Sequence, residues 1–200
     1  MKKHLLVCLL ALVLASLCML PSQVQAAETE THDDHCLCGA DHVDTGSHTD
    51  SSRTWKPWTP DSSGEVPLPT AGNVYYYLTE DVTISKTCEV VSDNATSIYI
   101  CLNGHSITAN GNFNTIKVNG GTFTLTDCQS NQGSVTHGSG AYGRGVEVED
   151  GTFNLYKGSI TGNKGEYINR EPPRGGGVMM NNKSAFNMYG GKISGNTGTL

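Results

Sequence analysis

The densest chemistry in this 200-residue chain lies in THDDHCLCGADHVDTGSH, residues 31–48. His32, His35, Cys36, Cys38, His42 and His48 alternate there with Asp33, Asp34, Asp41 and Asp44. Thiolate and imidazole together suit Zn²⁺, so zinc is the candidate cofactor. Binding would order a segment that has no apolar periodicity of its own. Cys36, Cys38, His42 and His48 are the expected metal ligands, because a short loop separates each pair. Against this reading, C-x-C is not the usual two-residue knuckle, and no second cysteine pair follows. The competing reading is an acidic spacer whose two thiols are oxidised.

A second set of candidates comes from a repeated phrase. FNLYKGSITGN (153–163) and FNMYGGKISGN (186–196) agree at seven of eleven positions. Phe153, Leu155 and Ile160 alternate with polar residues, as do Phe186, Met188 and Ile193. Period two predicts strands with one buried face. Asn154, Tyr156, Asn187 and Tyr189 then point outward on adjacent coils, with Thr126 and Asn103 further along the row. Such a strip is a candidate sugar platform. The plainer reading is that stacked tyrosines protect a sheet face.

Acid–base chemistry has a weaker footing. Glu147 and Glu149 point outward on one strand with Arg144 nearby, but neighbouring coils offer Lys117 and Met179 or Asn181 at similar positions. Glycoside cleavage needs placed carboxylates, or carboxylates with a cation. No acid pair recurs at one register, so no catalytic residue is assigned. Among the thiols, Cys101 is expected to align with outward Asn154 and Cys128 lies past a bend. A disulfide between them is one option, with Cys88 an equal competitor for either.

These side chains need a scaffold that repeats. GVEV (145–148) and GVMM (177–180) precede the two phrases. ICLNGHSITAN (100–110) aligns on FNLYKGSITGN without a gap. TIKV, FTLTDC and GSVTHG (115–138) make a further copy with five extra residues at its bend, and VYYYLTEDVTI (74–84) reads as an opening coil. Units of this length cannot bury a face alone and must stack. The predicted fold class is all-β, a right-handed parallel β-helix, over residues 67–200. Phe123, Phe153 and Phe186 should form one internal stack, and Val135, Ile160 and Ile193 another. Asn110, Asn163 and Asn196 fall at one turn, where asparagine can take left-handed backbone and form an amide ladder. His137-Gly138 is expected to break it. EYINREPPRGGG (166–177), with Arg170, Glu171 and Arg174, reads as a surface insertion.

The remaining text sets compartment and partners. MKKHLLVCLLALVLASLCMLPSQVQA (1–26) carries two lysines, an apolar run and small residues at a cleavage site, which predicts a secretory signal peptide. No second long apolar run exists, so no transmembrane span is expected in the mature chain. Residues 27–66 are acidic and rich in His and Cys. With a formal net charge of −6 and no Lys/Arg cluster, nucleic acid is not an expected partner. LPTAG (68–72) departs from a sortase signal at its fourth position. A solenoid needs its ends covered; Leu200 follows a coil closely, and a longer protein truncated at its C-terminal end is expected.

His35-Cys36-Leu37-Cys38-Gly39, Trp55-Lys56-Pro57-Trp58, Tyr76-Tyr77-Leu78, Asp81-Val82, Cys101-Leu102-Asn103-Gly104-His105, Leu125-Thr126-Asp127-Cys128 and both repeat phrases resemble a group of secreted repeat proteins from gut Firmicutes. The resemblance covers nearly the whole mature chain. It implies a pectin-lyase-like right-handed β-helix in an exported or surface protein, and it carries over no catalytic residues. The expected function is display or binding at the cell surface, with a polysaccharide or host-surface ligand. The alternative is a polysaccharide lyase or hydrolase of the same fold.

Overall fold

The computed structural model describes residues 55–60, 63–64, 72–91, 96–129, 133–165, 175–181 and 183–198. The described residues hold no helix. Their strands are β1 (Trp55–Pro57), β2 (Asn73–Tyr77), β3 (Val82–Ile84), β4 (Cys88–Val91), β5 (Ser97–Cys101), β6 (Ile107–Ala109), β7 (Ile116–Thr126) and β8 (Ser134–His137). They continue as β9 (Val146–Leu155), β10 (Ser159–Thr161), β11 (Lys164–Gly165), β12 (Val178–Met180), β13 (Ser184–Met188), β14 (Lys192–Ser194) and β15 (Thr197–Gly198). Every ladder between these strands is parallel. The chain is a parallel β-solenoid, as its repeats require.

Three faces recur in each coil. The first stacks β1, β2, β5, the second half of β7, the second half of β9, and β13. The second runs β3, β6, β8, β10 and β14. The third holds β4, the first half of β7, the first half of β9, and β12. β7 and β9 serve two faces because glycines turn their corners. Gly120, Gly121 and Gly151 all have positive φ, a region that costs other residues a clash at Cβ. A Cβ on Gly151 would lie 2.6 Å from the Gly121 carbonyl oxygen, so successive corners also pack backbone to backbone.

The interior follows from period two. Val74, Ile98, Phe123, Phe153 and Phe186 are in register through the first face. Phe123 and Phe153 stack at 5.7 Å between centroids, and Phe153 and Phe186 at 5.2 Å. Val82, Ile107, Val135, Ile160 and Ile193 form the second row. Both expected stacks are present. The register corrects the gapless alignment of residues 100–110, however. Ile98, not Ile100, faces Phe123, and Ile100 faces Leu125. The bend of that coil is two residues longer, and it places Asn103 and Gly104 at positive φ. A slip of two leaves every inward residue inward, so alternation alone could not reveal it.

The strand ladder also reaches into the segment expected to be irregular. Trp55, Lys56 and Pro57 pair with Tyr75, Tyr76 and Tyr77, and Trp58 is buried in the core. Among the described residues no helix is long and apolar enough to cross a membrane.

Candidate functional site: the outward ladder of the first face

The alternation that buries Phe153 and Leu155 turns Asn154 and Tyr156 outward. The next coil repeats this with Asn187 and Tyr189. The structure brings all four together. Tyr156 and Tyr189 stack at 4.5 Å with 26° between ring planes. Asn187 Nδ2 donates to Asn154 Oδ1 at 2.9 Å, and Asn154 Nδ2 donates to Thr124 Oγ1 at 3.3 Å. An amide ladder thus runs beside an aromatic ladder. Tyr189 is 58% exposed. Thr126 lies further along the tyrosine row as expected. Beyond it comes Cys101, which pairs with Thr126, and not Asn103.

The sequence reading missed the other end of the amide row. Trp55, Tyr75, Tyr99, Thr124, Asn154 and Asn187 share one register. Tyr75 and Tyr99 stack at 4.5 Å, and Trp55 meets Tyr75 edge-on at 5.4 Å. The signal was present: aligning Val74 and Ile98 with Phe123 places Tyr75 and Tyr99 next to the inward stack. Polar and aromatic groups therefore repeat at the strand spacing, about 4.8 Å, along the first face, but Thr124, Thr126 and Cys101 are buried in the middle of it.

The acidic candidates on the third face are held by their neighbours. Glu147 accepts from Asn114 Nδ2 at 2.6 Å and from Arg144 at 3.2 Å. Both Arg144 and Glu147 are buried. Glu149 sits 3.0 Å from Lys117 Nζ. Burial alone would pull the Lys117 amine down. The hydrogen bond and charge of Glu149, with Glu147 and Glu89 behind it, outweigh that and hold it above its ordinary value. This is an ion-pair arrangement on a solenoid face, with both oxygens of Glu147 engaged.

The turn after the second face carries the asparagine ladder, with two corrections. The left-handed residues are Gly162 and Gly195, each just before the asparagine. Their conformation swings Asn163 and Asn196 inward. Asn163 Nδ2 donates to Asn196 Oδ1 at 2.9 Å and to the Val135 carbonyl at 3.1 Å, and Asn196 Nδ2 donates to the Ile160 carbonyl at 2.8 Å. Asn110 follows Ala109 instead of glycine and is exposed. His137 does not end the network: its Nδ1 lies 2.7 Å from Asn163 Oδ1 and its Nε2 lies 2.8 Å from the Phe113 carbonyl. Imidazole takes the place of the missing amide.

Cys36, Cys38, His42 and His48 lie outside the described residues. Among the described residues no group of three metal-binding side chains occurs. No family model matches the chain, and neither a curated protein nor a solved structure matches it.

Proposed function

We propose that the protein is an exported or cell-surface β-helix that binds an extended polysaccharide along the outward ladder of its first face. The observation that supports this reading is the pair of adjacent rows. Tyr156 and Tyr189 stack beside the hydrogen-bonded Asn154 and Asn187, and a second aromatic set of Tyr99, Tyr75 and Trp55 lies beyond the buried Thr124 on the same face. Aromatic rings offer apolar area for sugar C–H faces, and a few placed amides fix orientation. A row that repeats at the coil spacing suits a ligand that also repeats. The signal peptide expected from the sequence of residues 1–26 would account for an exported location.

The test is affinity electrophoresis of the full chain through gels containing neutral, acidic or host-type glycans. Retardation by one class, lost in Tyr189→Ala, supports the reading. Free migration through every gel counts against it.

The alternative, a polysaccharide lyase or hydrolase, has only Glu149 as a partly exposed acid on this face, because Glu147 is buried against Arg144 and Asn114. It requires product release from a polysaccharide that disappears in Glu149→Gln.

A further inference from the structure

Three cysteines are described, and register separates them sharply. Cys88 lies on an inward row with Ile116 and Val146. It is 1% exposed, and burial pushes its thiol up. It cannot compete for the others, contrary to the sequence expectation. Cys101 ends β5 opposite Thr126, not opposite Asn154. Cys128 stands two residues past Thr126, in the bend that follows β7.

We propose that Cys101 and Cys128 are a redox pair that closes into a disulfide joining successive coils. Cys101 is in register with Thr126, two residues before Cys128, and the Cys128 thiol donates to Asn103 Oδ1, two residues past Cys101, at 3.2 Å. Residues outside the pair hold it there. Asn103 Nδ2 donates to the Leu78 carbonyl at 3.0 Å. Asp127, buried beside Cys128, gathers the bend with its carboxylate: it accepts from Gly104 N at 2.9 Å, Gln129 N at 3.1 Å and Gly133 N at 2.6 Å. These contacts hold the bend that carries Cys128 against the end of β5.

Exposure sets the order of the chemistry. Cys101 is fully buried, whereas Cys128 is partly exposed. The Cys128 thiolate attacks an external disulfide, such as oxidised glutathione, and expels one thiolate from it. Cys101 then attacks the Cys128 sulfur in the mixed disulfide and expels the second. Two electrons and two protons leave the pair, and the oxidant becomes two thiols. Burial first, and the contact with Cys128 second, hold the Cys101 thiol above its usual range. The closing step therefore speeds up as pH rises. The cross-link would tie β5 to the long bend after β7 and restrict the unfolded chain. This inference is independent of glycan binding.

The full chain, incubated with oxidised glutathione or with dithiothreitol, is alkylated and digested with trypsin and chymotrypsin. Cleavage at Lys117 and Tyr99 places the three cysteines on separate peptides. The expected result is a linked Cys101–Cys128 peptide in the oxidised sample alone, with Cys88 alkylated only after unfolding. The oxidised protein should also melt higher. That shift should vanish in Cys128→Ser, at the partly exposed position, and persist in Cys88→Ser. Cys101 and Cys128 both alkylated after oxidation would overturn the proposal, as would Cys128 linked to Cys36, Cys38 or a second chain.

Discussion

Phe153–Phe186 and Tyr156–Tyr189 are aromatic stacks on the same two coils, three residues apart, on opposite sides of one sheet. The inner rings lie 5.2 Å apart with 10° between planes, and the outer rings 4.5 Å apart with 26°. Phe153 is fully buried, whereas Tyr189 is 58% exposed. Both stacks arise because each coil repeats the residue types of the coil beside it. The inner one removes more of its apolar area from water, with Phe153 fully buried and Phe186 packed against the core, and so helps drive the solenoid to form. The outer stack contributes little to folding and leaves ring area available to a partner. Repetition inside a solenoid is thus explained by packing, and repetition outside asks for a further reason.

The comparison breaks most visibly at the core. Phe153→Ala should cost about 3–5 kcal/mol, because the ring is fully buried between Phe123 and Phe186. Urea unfolding would measure it.

The turn asparagines give a smaller contrast of the same kind. Asn163→Ala removes the donor to the Val135 carbonyl and leaves Asn196 and His137 short of a partner. A loss of about 1–3 kcal/mol is expected. Asn110→Ala, at the same register but exposed, should stay within about 0.5 kcal/mol. Equal losses at both sites would mean that the inward turn of Asn163 does not matter.

The smallest effect belongs to Lys117 and Glu149. The folded-state pKa of Lys117 is raised, so the stability it contributes is fully present below the unfolded lysine value. It fades as pH rises through the folded one. The pair is partly exposed, which limits it to about 0–1 kcal/mol. Thermal melts of Lys117→Met beside wild type should differ slightly at neutral pH and converge in strong alkali.

Much of the fold was legible because stacking forces text to repeat. FNLYKGSITGN and FNMYGGKISGN disclosed the inward rows and, by alternation, the outward pair. The opening coils were harder. Their first-face strands read NVYYY and SIYIC, where either of two inward positions could face Phe123 and alternation leaves the register open by two residues. The slip at Ile98 concealed the aromatic row of Trp55, Tyr75 and Tyr99 and misplaced Cys101. Turn chemistry was half legible: Asn163 and Asn196 stood out, but the conformation that turns them inward belongs to Gly162 and Gly195. The partnership of His137 with Asn163 depends on a side chain from one coil reaching the next, which no local pattern encodes.

The most direct test of the outward ladder is an isothermal titration of the glycan that retards the chain, with wild type beside the Tyr156→Ala/Tyr189→Ala variant. The account predicts at least tenfold weaker binding by the variant while its melting temperature stays within a few degrees of wild type. Undiminished binding by a folded variant would contradict it and leave those tyrosines as a cover for the sheet.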